Sequence, residues 1–165
     1  LLADRLPHIE LFGQQPTMDD AERAAFLARF SPNPTGVCVG LAVMGGVFAE
    51  GIDLPGDRLC GAVIVGVGLP QLCLERDVLK GAYESRYADG YRYAYLYPGL
   101  SKVLQSAGRI IRTETDRGAL LLIDQRYGNA EYRALLPSAW RVRRVLSAEA
   151  LRGQAASFWD TSGAD

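Results

Sequence analysis

GVCVGLAVMGGVFAEGIDLPGD, residues 36–57, hands an apolar run directly to a turn-rich loop. Its first eight residues carry no charge and are apolar or glycine on both sides of a two-residue period, which predicts a strand buried on both faces rather than a half-exposed one. CGAVIVGVGLP (60–70) and ALLLIDQRYG (119–128) read the same way, and LPHIELFGQ (6–14) reads as a shorter strand of mixed polarity. Between them lie helical patterns. TMDDAERAAFLARF (17–30) is expected to be opened by Thr17, with Asp19, Asp20 and Glu22 at the positive end of its dipole. QLCLERDVLKGAYESRY (71–87) is helical, ADGYRYAYLYPG (88–99) breaks it, and LSKVLQSAGRIIRT (100–113) resumes a helix. NAEYRALLPSAW (129–140) reads as helical up to Pro137, and SAEALRGQAASFWD (147–160) as a final helix. Apolar strands alternating with helices predict an α/β fold, a parallel sheet with helices on both faces.

At 165 residues the chain suits one compact domain, expected to span residues 1–165. It begins LLADRLPHIELFG without a methionine or a signal-peptide layout, and is expected to be a piece of something longer. The net charge of -1 argues against a broad basic nucleic-acid surface, so any such contact is local. Cys38, Cys60 and Cys73 lie in apolar settings without zinc-site spacing, which predicts buried reduced thiols, no metal and a cytoplasmic protein. No apolar run is long enough to span a bilayer, so no membrane partner is expected.

Two segments carry chemistry. In the loop 45–57, Glu50 and Asp53 stand where a strand gives way to a loop, and Gly51 and Gly56 permit close approach of a ligand. They could bond a ribose hydroxyl, orient an arginine or position a water. Alternatively, Asp53 and Asp57 cap backbone amides in a plain surface turn. In QSAGRIIR (105–112), Gln105, Gly108, Arg109 and Arg112 fall on one helical face, with Val103, Ala107, Ile110 and Ile111 opposite. Neighbouring like charges cost about 0.2–0.5 kcal/mol on an exposed helix unless an anion lies near them. Arginine's planar fork suits phosphate oxygens, and Gly108 leaves room for the ligand. The other reading is that Glu114 and Asp116 pair with these arginines in a surface network.

FAEGIDLPGD, followed about fifty residues later by QSAGRIIRTETDRGALLLIDQR, resembles motifs V and VI of superfamily 2 helicases, most closely the DinG and XPD type. That pattern runs EGIDLPG, then QxxGRxIRxxxDxG, then a strand ending in DxR. The matching residues are Glu50 to Gly56, then Gln105, Gly108, Arg109, Ile111, Arg112, Asp116 and Gly118, then Asp124 and Arg126. IELFGQ resembles the segment around motif IV, and the likeness covers roughly residues 6–136.

The resemblance implies a RecA-like domain of P-loop NTPase-like fold without a P-loop of its own, the C-terminal motor domain of an ATP-dependent DNA helicase. It implies that Arg112 and Arg109 reach the γ-phosphate as arginine fingers and that Gln105 contacts the nucleotide or the catalytic water. Glu50 with Asp53 would couple the ATP cleft to the nucleic-acid track, and Glu50, Gly51, Asp53 and Gly108 are the implied cofactor-binding residues. ATP and Mg would be held mainly by an N-terminal RecA-like domain of the same chain. The implied substrate is single-stranded DNA, with 5′ to 3′ movement, a monomeric motor and a role in DNA repair. A GxxxxGK[ST] loop and a DEAH-like box are absent, so this piece alone is expected not to hydrolyse ATP. A 4Fe-4S cluster, where relatives have one, belongs to the other domain. The rival reading is a non-catalytic α/β binding module for nucleic acid or protein, derived from a helicase.

Several features weigh less. Tyr83, Tyr87, Tyr91, Tyr93, Tyr95 and Tyr97, with Arg86 and Arg92, either stack bases of single-stranded DNA or pack on one another. Arg141, Arg143 and Arg144 beside Trp140 read as a solvated patch, and His8 is given no role.

Overall fold

The computed structural model describes residues 7–32, 34–46, 48, 54, 58–110 and 117–160. They fall into two compact units, Leu1–Asp124 and Gln125–Asp165. The first is α/β, built on two parallel strand pairs. Strand β1 (Ile9–Gly13) pairs with β2 (Val37–Leu41) in a register running from Ile9 opposite Val37 to Gly13 opposite Leu41. Strand β3 (Gly61–Val65) pairs with β4 (Ala119–Ile123), from Gly61 opposite Ala119 to Val65 opposite Ile123.

Helix α1 (Asp20–Ala28) links the first pair, and its start corrects the sequence expectation. Asp19, not Thr17, is the cap: its carboxylate accepts the Glu22 N–H at 2.8 Å, and Glu22 returns an acceptor to the Asp19 N–H at 2.9 Å. This reciprocal box satisfies two orphan donors at once, which one threonine hydroxyl cannot do.

Phe26, on the inner side of α1, joins Phe12 of β1, Phe30, Phe48 and Leu54 in the core. Phe12 meets Phe26 edge-on at 4.8 Å, and Phe26 stacks on Phe48 at 4.4 Å. Gly40 of β2 is what lets the rings approach: a Cβ there would lie 2.7 Å from Phe30 Cζ and 3.1 Å from both Phe12 and Phe26. Gly40→Ala should therefore cost about 1–3 kcal/mol by overpacking, read as a lower urea midpoint. An unchanged midpoint would show that the rings yield freely.

The expectation of strands buried on both faces meets a one-sided arrangement. Residues 37, 39 and 41 share the face turned away from the phenylalanines, and Val37 is 59% exposed. Val63 and Val65 of β3 are likewise 61% and 72% exposed. Helix α2 (Leu74–Tyr87) follows β3 and ends at Ala88, whose φ of 55° is left-handed. The expected break across 88–99 shrinks to Ala88 and Asp89. Beyond them a helical stretch opens with Gly90 and Tyr91, passes through a π-helix at Arg92–Leu96 and runs on as α3 (Tyr97–Ala107).

The second unit comprises a 3-10 turn at Gln125–Gly128, α4 (Ala130–Arg133) and α5 (Ala148–Asp160). The helix expected up to Pro137 is confined to α4, with Tyr132 buried. No described helix is long and apolar enough to cross a membrane.

Candidate nucleotide-facing site

Helix α3 turns Gly99, Leu100, Val103 and Ala107 inward. That leaves Lys102 half-buried and Gln105 exposed. Lys102, Gln105 and Arg109 sit at i, i+3 and i+7, and thus along one edge. The expected face holds in direction but not in length. The α-helix ends at Ala107, with Gly108 as its C-cap in αR conformation (φ -64°). Arg109 and Ile110 continue as a tight turn, their N–H groups donating to Ser106 O at 3.4 Å and Ala107 O at 3.1 Å. Glycine's low helix propensity ends the regular ladder there. Ile110 is buried, as its place opposite Arg109 predicts, and Arg109 is half-buried.

Arg112 lies outside the described residues, but both ends of its segment are fixed. A Cβ on Gly118 would collide with Ile110 Cγ2 and come within 3.3 Å of Cys60 O. The Ala119 N–H bonds Cys60 O at 3.0 Å. The chain therefore leaves from Ile110 and returns beneath it, at the start of β4.

Glu50, Gly51 and Asp53 also lie outside the described residues. Their flanks are anchored by Phe48 and Leu54, each 3% exposed. Downstream, Arg58 Nε donates to Phe30 O at 2.6 Å.

The loops at the carboxyl ends of β2 and β3 meet α3, and the loop after β1 is tied to the first of them. After β1, Gln14 donates its N–H to Leu41 O at 2.8 Å, and its Oε1 accepts the Val43 N–H at 3.0 Å. Gly45 then takes a positive φ of 80°, and a Cβ on it would sit 3.2 Å from Lys102 Cδ and 3.5 Å from Lys102 Nζ. After β3, Gly68 (φ 65°) brings its backbone against Gly99 O, where a Cβ would be 2.6 Å away, with Met44 Cε at 3.3 Å. Ligands of open parallel sheets bind at such carboxyl ends.

Lys102 and Gln14 were missed by sequence reasoning. Lys102 reads as an ordinary solvated helical lysine, and only its packing across Gly45 sets it apart. Lysine ammonium, amide and guanidinium groups are donors suited to phosphate oxygens and offer no oxygen-rich cage for a divalent cation. Among the described residues no cluster of three metal-ligating side chains occurs.

The tyrosines are engaged with one another. Tyr87 and Tyr93 stack at 4.7 Å, Tyr83 stacks on both, and Tyr91 stacks on Tyr95. Arg86 covers the ring of Tyr87. Tyr95, 3% exposed, donates its hydroxyl to Asp77 Oδ1 at 3.1 Å. Burial first, and then the Asp77 carboxylate, raise its phenol above the ordinary tyrosine range. The folded pKa exceeds the unfolded one, so this bond's contribution is complete below about pH 10 and lost as pH rises further. Melting curves above that pH should fall more steeply for the natural protein than for Tyr95→Phe, and parallel curves would exclude the coupling.

The cysteine expectation is corrected. All three thiols are free, but Cys60 and Cys73 are exposed, just ahead of β3 and at the N-cap of α2. Cys38 is half-buried, and burial, then Glu10, push its thiol upward. His8 is exposed, as are Arg141, Arg143 and Arg144.

The family described as the helicase C-terminal domain matches residues 2–143. The chain is 36% identical over 104 residues to the ATP-dependent DNA helicase DinG of Photobacterium profundum, covering 61% of this chain and 15% of that protein. Human regulator of telomere elongation helicase 1 is 32% identical over 126 residues, covering 70% and 10%. The XPD helicase subunit of the general transcription and DNA repair factor IIH of Schizosaccharomyces pombe is 31% identical over 104 residues, covering 59% and 13%. The match thus spans 15% or less of each relative's length.

Proposed function

The chain belongs to the helicase C-terminal domain family, of the DinG and XPD type, and from that premise we propose that residues 1–165 form the second motor domain of an ATP-dependent DNA helicase. In this reading a preceding RecA-like domain of the same chain holds ATP and Mg, and the α3 edge faces the terminal phosphates across the cleft. Arg112 and Arg109 are the arginine fingers, and Gln105 contacts the nucleotide or the attacking water. Gly108 leaves space at the point of approach, and Lys102 adds positive charge beside Gly45. Glu50, Gly51 and Asp53 link the cleft to single-stranded DNA. The motor works as a cytoplasmic monomer.

The observation that carries the reading is the placement of Lys102, Gln105 and Arg109. A helix buried by Leu100, Val103 and Ala107 carries these residues along one edge, and Lys102 packs against Gly45 in the loop at the carboxyl end of β2, where ligands of open parallel sheets bind. Guanidinium groups held there before the reaction begins need no reorganisation when charge develops on the transferred phosphoryl group.

ATP hydrolysis should be measured for residues 1–165 alone and for the full-length protein, each with and without single-stranded DNA. The isolated chain should show no turnover above background, and the full-length protein should show DNA-stimulated turnover. Robust hydrolysis by the isolated chain would overturn the division of labour.

A further inference from the structure

The π-helix at Arg92–Leu96 has a cause in the sequence. Pro98 stands in the first turn of α3, in the middle of a continuous helical path. In an α-helix its N–H would bond the carbonyl of Ala94, four residues earlier, but proline has none, and its ring presses on that carbonyl. The wider turn relieves the pressure, and the Tyr97 N–H reaches back to Arg92 O instead. Ala94 is fully buried. A buried carbonyl deprived of its helical donor is costly unless another group supplies one.

Arg76 supplies it: its Nη1 donates to Ala94 O at 3.2 Å from the first turn of α2. Its neighbour Asp77 accepts the Tyr95 hydroxyl at 3.1 Å, so adjacent side chains of α2 grip adjacent residues of the π turn. Further along α2, Glu84 Oε2 accepts the Gly90 N–H at 2.6 Å. Immediately after Pro98, Gly99 is pressed against the loop behind β3, where a Cβ would lie 2.9 Å from Val67 O. The turn is thus clamped on both sides. Its shape matters downstream, because one residue more or less in the preceding turn rotates a following helix by about 100°. Such a rotation would carry Gln105 off the edge it occupies, to the angular position now held by Leu104 or Ser106.

We propose that Arg76 is a positioning residue for the Lys102, Gln105 and Arg109 edge: it replaces the donor that Pro98 lacks and so holds the turn that sets the rotation of α3. This rests on the reading of that edge as phosphate-facing. In the full-length protein, Arg76→Met should lower kcat for DNA-stimulated ATP hydrolysis by about tenfold to a hundredfold, with the KM for ATP within about twofold, because misplacement costs rate more than affinity. It should also lower the melting temperature by about 3–6 °C.

Pro98→Ala returns an N–H to the chain, so the double variant Arg76→Met/Pro98→Ala should regain most of the lost melting temperature. If the double variant melts no higher than Arg76→Met, the replacement of one donor by the other is refuted, whatever the protein does enzymatically. If melting shows the rescue but Arg76→Met leaves kcat unchanged while Arg109→Ala lowers it, the positioning role is refuted and the phosphate-facing reading stands. If Arg109→Ala leaves kcat unchanged, the phosphate-facing reading itself falls, and the catalytic half of the proposal falls with it.

Discussion

Arg112→Ala in the full-length protein is expected to lower ATP turnover by about a thousandfold or more while leaving nucleotide affinity nearly as it was. The asymmetry follows from where the guanidinium acts. Ground-state ATP would be held by the phosphate loop and Mg of the preceding domain, so removing a finger withdraws little from binding. Charge shifting toward the leaving and equatorial oxygens then loses its compensating cation, and the rate falls. Arg112→Lys should rescue poorly, because an ammonium is a point charge without the planar fork. Single-turnover phosphate release, paired with binding of a fluorescent nucleotide, separates the two effects. Turnover within about tenfold of the natural protein would remove Arg112 from the finger role. Arg112 itself is outside the described residues, but Ile110 and Gly118 fix both feet of its segment.

Phe26→Ala should destabilise the first unit by about 3–5 kcal/mol. Phe26 is 5% exposed and meets three other rings, Phe12 at 4.8 Å, Phe30 at 6.0 Å and Phe48 at 4.4 Å. Truncation removes the burial of one ring and leaves a void that a cluster of rigid neighbours cannot close. Since a domain's whole stability is about 5–15 kcal/mol, this is a large share of it. The loss extends to the proposed site. Phe48 stacks on Phe26 and anchors the upstream flank of the segment bearing Glu50, Gly51 and Asp53. Urea denaturation followed by tyrosine fluorescence tests this, and a loss below about 1.5 kcal/mol would show that the cluster relaxes freely.

Most of the strand and helix placement was legible because hydrophobic period is a local property. The four strands among the described residues lie within the runs that announced them, three apolar and one of mixed polarity, and Val103, Ala107 and Ile110 are buried where the helical period put them. What was misread depended on contacts distant in sequence or on competition between nearby groups. Thr17 and Asp19 are both capping residues, and Glu22 three positions on decides for Asp19. The segment around Pro98 reads as a break because the donor that rescues it, Arg76, sits in the preceding helix. A two-sided apolar run such as β2 states that both faces could be buried, not which elements of the chain cover them. Lys102 gains its significance only through Gly45, on the far side of the core segment.

The parallel register carries a consequence for the order in which the molecule assembles. Strands β1 and β2 can pair once Leu41 has left the ribosome, whereas β3 must wait for Ala119 before its partner exists. All of α2, the π turn and α3 are enclosed by that late closure, so the donor row emerges before the last strand of the scaffold that aims it. Non-local pairing of this kind folds slowly. A nascent chain truncated before β4 should therefore hold its phenylalanine nucleus while the helices behind β3 remain sensitive to protease.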